Sequence, residues 1–170
     1  NADLLEGGDG DDNVKGGGGN DTLFGGEGDD FLQSGTRRDL VNGDAGNDKL
    51  IGRSFDDTLI GGNGKDFLNA GGADDRLEGG ARNDRLKGGD GADVFVFDLD
   101  FGRDRLIDFD IDEDRLEFSE ALADGRSADD IADLSQATGN AFELDFGDGN
   151  LIRLQGLTDV TGLAGQIDIL

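Results

Sequence analysis

The chain contains no His, Cys, Tyr, Trp, Met or Pro. Without cysteine and histidine there are no disulfides, no thiolate or imidazole metal ligands, no cysteine nucleophile and no Ser–His triad. Positive charge is scarce: 15 Lys and Arg stand against 40 Asp and Glu in 170 residues, a net charge of −25. That field opposes every phosphate contact, which excludes nucleic acid as a natural partner and disfavours an anionic membrane surface. Long apolar stretches are missing too. The longest is Val94-Phe95-Val96-Phe97, too short for a membrane span or a signal-peptide core. Little catalytic chemistry survives these absences.

What is abundant is Asp and Gly. With 34% hydrophobic and 32% charged residues the composition borders on disorder, yet Asp outnumbers Glu by 33 to 7, and 24 of the 32 Gly fall within residues 1–93. Asp3, Asp12, Asp21, Asp30, Asp39, Asp48, Asp57, Asp66, Asp75, Asp84 and Asp93 are spaced nine apart without insertion. Two residues after each comes an apolar one: Leu5, Val14, Leu23, Leu32, Val41, Leu50, Leu59, Leu68, Leu77, Leu86 and Phe95. A fixed short period of this kind signals a repeat architecture.

Each unit places glycines at positions one, two and four, where positive φ lets the backbone turn sharply and bring carbonyl oxygens inward. Its last three residues are too few for a helix and suit a short strand with only the aliphatic residue facing inward. Two units make one coil of eighteen residues, and coils stack as parallel strands ~4.8 Å apart. The expected fold is all-β: a right-handed parallel β-roll, a two-sheet solenoid with two edges of turns. The aspartates then form two columns, Asp3 to Asp93 on one edge and Asp12 to Asp84 on the other. Stacked carboxylates ~5 Å apart repel by roughly 3 kcal/mol per pair at an effective dielectric of about 20, more in total than a fold's net stability of about 5–15 kcal/mol tolerates. A cation must therefore belong to the fold. Carboxylates and main-chain carbonyls are hard oxygens, in a number and flexibility that suit Ca²⁺ better than Mg²⁺.

Units such as Gly7-Gly8-Asp9-Gly10-Asp11-Asp12-Asn13-Val14-Lys15, and those opening Gly16-Gly17-Gly18-Gly19 and Gly25-Gly26-Glu27-Gly28, resemble the nonapeptide G-G-x-G-x-D-x-U-x of the RTX (repeat-in-toxin) family, with U a large aliphatic residue. The resemblance covers residues 1–96. It implies calcium ligands from the position-six Asp of one unit and of the unit two further on, with carbonyls of the glycine turns. Carried onto this chain, these are Asp3, Gly8, Gly10, Asp12, Gly17, Gly19, Asp21, Gly26, Gly28, Asp30, Gly43, Gly46, Asp48, Gly62, Gly64, Asp66, Asp75, Gly79, Asp84, Gly89, Gly91 and Asp93, holding roughly six ions, four of them on the edge of Asp12.

The turns Ser34-Gly35-Thr36-Arg37-Arg38-Asp39 and Gly52-Arg53-Ser54-Phe55-Asp56-Asp57 lie one above the other on the opposite edge, and Arg37 and Phe55 replace a position-four glycine. Calcium is expected to be missing around Asp39 and Asp57, with the guanidinium groups of Arg37, Arg38 and Arg53 neutralising the stacked carboxylates instead.

After Asp93 the glycine period stops and alternating patterns predict strands at Val94–Phe97, Arg105–Phe109, Arg115–Phe118, Ala141–Phe146 and Leu151–Leu154. Ser127, Asp129, Asp130, Ile131 and Leu134 predict one short helix with a cap and an acidic first turn. The expected division is a roll over 1–96 and a β-rich C-terminal cap over 97–170, because a bare end coil would expose core and strand edge. Ala92–Phe97, Gly102–Phe109 and Asp114–Ser119 resemble the segment that closes the roll in serralysin-type proteases, secreted lipases and alginate epimerases. Asp108, Asp110, Asp112 and Asp114 lack the Gly and Glu that an EF-hand loop requires, so they are expected to form a solvated acidic edge. The ending Asp168-Ile169-Leu170 resembles the C-terminal signal read by type I secretion machinery, and an ordinary final strand is the alternative.

Asn1 falls at the fourth position of a unit and no initiating Met is present, so the chain is expected to be part of a larger secreted, extracellular protein with an upstream enzyme or adhesin domain. The expected function is a non-catalytic calcium-binding module that folds after type I secretion. The alternative is a carbohydrate- or surface-binding module taking an anionic polysaccharide on a stripe containing Arg76, Arg82, Arg85, Lys87, Arg103 and Arg105. A carboxylate-only hydrolase has no specific signal, since acid pairs occur everywhere.

Overall fold

The computed structural model describes all residues, 1–170. Its strands are β1 (Leu4–Asp9), β2 (Asn13–Gly18), β3 (Thr22–Glu27), β4 (Phe31–Thr36), β5 (Leu40–Ala45), β6 (Lys49–Ile51), β7 (Thr58–Asn63), β8 (Phe67–Gly72), β9 (Arg76–Ala81), β10 (Arg85–Asp90), β11 (Val94–Phe97), β12 (Arg103–Leu106), β13 (Arg115–Phe118), β14 (Ser135–Ala137), β15 (Ala141–Gly147), β16 (Asn150–Gln155) and β17 (Ile167–Ile169). Odd-numbered strands from β1 to β13, followed by β17, stack into one eight-stranded sheet; β2 to β12, then β16, β15 and β14, form a nine-stranded one. The roll is thus the parallel two-sheet solenoid that the period predicts, with Leu23 opposite Val41 and Leu50 opposite Leu68.

The strands are longer than the three residues expected. Most run six, through the aliphatic position and on into the first two glycines of the next unit. Two positions per strand consequently face inward: in β3 these are Leu23 and Gly25, both buried. Within the roll β6 alone stops after three residues, although Arg53, at φ 101°, keeps the positive φ of the second position in other units. The inward aliphatic columns, Leu23 to Leu77 on one sheet and Leu32 to Leu86 on the other, are 0% exposed, and each such side chain contributes about 2 kcal/mol.

The sheets do not end with the glycine period. Phe95 pairs with Leu116 and Leu116 with Ile167, while Leu86 pairs with Leu106 and Leu106 with Leu154. Residues 97–170 therefore extend both sheets, and only β14–β15–β16 turn antiparallel. One hydrophobic cluster joins both halves. Phe97 stacks on Phe118 with centroids 5.7 Å apart, and Phe146 meets Phe118 at 5.2 Å. The predicted helix is α2 (Ala128–Ala132), the second of two: Ser127 caps it and Asp130 closes a capping box. α1 (Glu120–Ala123), capped by Ser119, was not anticipated, because four residues carry no helical period.

Candidate metal centre

Each column aspartate is fixed by the main chain of its neighbouring coil. The N–H of Asp12 donates to Oδ1 of Asp30 at 2.7 Å, that of Asp30 to Asp48 at 2.8 Å, and that of Asp48 to Asp66 at 2.8 Å. The other edge repeats the arrangement from Asp3 through Asp21, Asp39, Asp57 and Asp75 to Asp93. One carboxylate oxygen is thereby used. The second, Oδ2, has no hydrogen-bond partner in Asp12, Asp21, Asp30, Asp39, Asp48, Asp66, Asp75, Asp84, Asp93 or Asp104. Burying a polar oxygen without a partner is costly, and the columns repeat that cost ten times.

The glycines explain how the turns stack. Gly8, Gly10, Gly17, Gly19, Gly26, Gly28, Gly46, Gly62, Gly89 and Gly91 all have positive φ. Gly43 and Gly79 occupy the inward first position, and Gly64 packs on the Gly46 carbonyl. A Cβ on Gly7 would lie 2.6 Å from the Gly25 carbonyl oxygen and 2.8 Å from Asp12 Oδ2, so carbonyl and carboxylate oxygens converge on the inward first position, where only Ser34 and Ala70 carry a side chain. No group of three or more acidic side chains is arranged to hold a metal ion by itself. Aspartate oxygens with turn carbonyls are hard donors of the kind that fit Ca²⁺.

Burial raises the buried carboxyls, with the donated N–H opposing it: Asp48, Asp57, Asp66 and Asp114 to about 7, Asp75 and Asp104 to about 8, and Asp84 and Asp93 to about 6. In these eight residues burial favours the protonated form, against which a cation would compete.

Two members escaped sequence reading. Asp104 Oδ1 accepts from the N–H of Asp84 at 2.8 Å, and Asp114 Oδ1 from that of Asp93 at 2.9 Å. They lie 20 and 21 residues on, instead of 18, so a strict period misses them. The signal was the tripeptide Asp-Arg-Leu, present at 75–77, 84–86, 104–106 and 114–116. Asp114 is thus not part of a solvated edge: it is 3% exposed, and its Oδ2 accepts from the N–H of Asp110.

The expected guanidinium substitution is also corrected. Neither Arg37, Arg38 nor Arg53 reaches Asp39 or Asp57; Arg38 pairs with the exposed Asp56. Ser34 takes that place, donating to the Gly52 carbonyl at 2.6 Å and lying 3.3 Å from Asp57 Oδ2. Arg37, Arg53, Phe55 and Ala73 keep positive φ on this edge, and Asp44 and Arg82 do so on the other, each at a cost of about 1–2 kcal/mol. The turn shape survives the loss of glycine.

Residues 1–32, 24–59, 42–75 and 69–106 match four copies of the RTX calcium-binding nonapeptide repeat. No curated protein matches the chain. Among solved structures, the extracellular lipase LipA from Serratia marcescens aligns with a TM-score of 0.49 at 20% identity over 100% of this chain. This chain spans 40% of that protein's length. The AlgE6R3 subunit of the Azotobacter vinelandii mannuronan C5-epimerase aligns with a TM-score of 0.38 at 23% identity, over 96% of this chain and 80% of that one.

Proposed function

This chain belongs to the RTX calcium-binding nonapeptide repeat family, and on that premise we propose that it is a non-catalytic module of a larger secreted protein, one that folds when calcium fills its turn edges. The observation that carries this reading is the pair of columns of buried, unpartnered Oδ2 atoms. The residues that would hold the ions are the column aspartates, Asp104 included, with carbonyls of the glycine turns such as Gly8, Gly10, Gly26 and Gly28. Calcium supplies charge neutralisation. The chain supplies spacing, dehydration of the carboxylates and the N–H bonds that aim them. With ligands shared between coils and an affinity near the ~10⁻⁴–10⁻³ M typical of extracellular modules, the chain stays unfolded in calcium-poor cytosol and folds outside by mass action. That order suits type I secretion, with Asp168-Ile169-Leu170 as the terminal signal and the activity residing in an upstream domain. Titrating Ca²⁺ at pH 8 under far-UV circular dichroism should give a cooperative gain of β-signal. Native signal persisting in excess chelator at that pH overturns the reading.

A second reading, binding of an anionic polysaccharide, has one specific observation behind it. On the outer face of the nine-stranded sheet Phe31, Lys49, Phe67, Arg85, Arg105 and Arg153 follow one another in register. Lys49 Nζ lies 5.5 Å from the Phe31 ring centroid and Arg85 5.4 Å from that of Phe67. A column of cations braced on aromatic faces, in a chain of net charge −25, suits a linear carboxylated glycan lying along the stack. Lys87 and Arg103 flank it, whereas Arg76 lies on the other sheet beside Glu117. Retention of the calcium-loaded chain on such a glycan column, lost in K49Q/R85Q, supports this reading; flow-through at low salt removes it.

A further inference from the structure

Short of the last coil, where the N–H of Asp110 takes Asp114 Oδ2, the carboxylate oxygens of the two columns follow one pattern. From Asp12 to Asp104, every column aspartate leaves Oδ2 unpartnered except Asp57. We propose that the rung between Asp39 and Asp57 holds no calcium and is closed instead by the Ser34 hydroxyl, an inference that rests on the calcium reading above.

Ser34 stands at the inward first position, which in the flanking units is Gly16, Gly25 and Gly43. It is fully buried, and its hydroxyl lies within hydrogen-bond reach of both the Gly52 carbonyl, at 2.6 Å, and Asp57 Oδ2, at 3.3 Å. The carboxylate oxygen that other rungs present to a cation is engaged here by a proton donor. The same hydroxyl reaches the Gly52 carbonyl of the next coil, so one hydrogen is shared between two oxygens at a rung where only Asp39 Oδ2 is left without a partner, against the six to eight oxygens that calcium requires. Charge acts in the same direction. Arg37, Arg38 and Arg53 belong to these two turns, and with Arg38 balanced by Asp56 the two others offset the charge of Asp39 and Asp57, which weakens the pull of this pair of turns on a divalent ion. Collapse of the turns is not the cause, since Arg37, Arg53 and Phe55 hold the positive φ that glycine holds elsewhere. The consequence is an interrupted edge: ions bound near Asp3 and Asp21 are separated from those near Asp75 and Asp93 by a rung that closes without metal, while the edge of Asp12 to Asp104 runs unbroken.

Anomalous diffraction from crystals grown in excess calcium reads this directly on the unaltered chain. Peaks are expected between Asp48 and Asp66 and between Asp66 and Asp84, with none between Asp39 and Asp57. A peak at that rung alongside the others overturns the proposal and leaves the calcium reading standing; no peak on either edge overturns both. Ser34→Ala separates a substitute for the ion from a ligand to it. A substitute predicts an unchanged calcium count per chain by elemental analysis with Tm lower by about 2–4 °C at saturating calcium. Loss of one ion per chain in Ser34→Ala makes Ser34 a ligand and overturns the proposal.

Discussion

The main-chain N–H of Asp84 donates to Oδ1 of Asp104 at 2.8 Å across an interval of 20 residues, where all earlier members of that column are 18 apart. The additional length is absorbed in the loop before β12, and the strand pairing resumes with Leu86 opposite Leu106. What the fold preserves is the relationship between carboxylate and N–H; the residue count is free to change.

Asp104 should accordingly behave as a column residue. Asp104→Ala leaves the buried N–H of Asp84 without an acceptor and is expected to cost about 1–3 kcal/mol. Asp104→Asn retains an acceptor but loses the charge, and should raise the calcium concentration at the folding midpoint. Asp108→Asn, at a half-buried residue beside Lys87, should change stability by no more than about 0.5 kcal/mol. Calcium titrations followed by circular dichroism compare the three.

Acidity should partly replace calcium. The buried carboxyls titrate at about 6 to 8 when folded and near 3.9 when unfolded, so the metal-free folded chain binds more protons across that interval. Their contribution is fully present below about pH 3.9 and is lost as pH rises through 6 to 8. In calcium-free buffer the β-signal should be stronger at pH 5 than at pH 8, as circular dichroism would show. Equal signals at both pH values would refute this.

Two glycines with similar φ should respond very differently to alanine. Gly8, at φ 108°, has open space where a Cβ would go, whereas at Gly26, at φ 112°, the Cβ would fall on the Gly8 carbonyl oxygen. Gly8→Ala is expected to cost about 1–2 kcal/mol from backbone strain alone, and Gly26→Ala about 4 kcal/mol or more. Thermal unfolding in saturating calcium measures both.

Leu59→Ala opens a cavity in a column that is 0% exposed and should cost about 2–5 kcal/mol. Leu4, 66% exposed on the first strand, should tolerate the same change within about 0.5 kcal/mol.

The roll was legible because its physics is local and repeated: each Asp, turn glycine and inward Leu follows from its place in a unit of nine. The six-residue strands were less so, because glycine carries no strand propensity, and only stacking shows that the first glycine faces inward against the Asp12 and Asp30 carboxylates. Asp104 and Asp114 were hidden by inserted residues, although Asp-Arg-Leu marked both. The role of Ser34 could not be read from sequence, since a serine in a turn does not disclose which coil its hydroxyl faces. The arginines drew attention by their charge and proved to point elsewhere.

The bonds that fix the carboxylates all run in one direction: each coil offers an N–H, and the coil that follows supplies its acceptor. An aspartate that loses its donor keeps an oxygen that a cation can take, but a buried N–H that loses its acceptor has no such recourse. Erosion is therefore unequal at the two ends. Removing Asp3 frees an oxygen of Asp21, whereas removing Asp114 strands the N–H of Asp93 and undermines the coil behind it, so the final coils act as the keystone on which every earlier one leans.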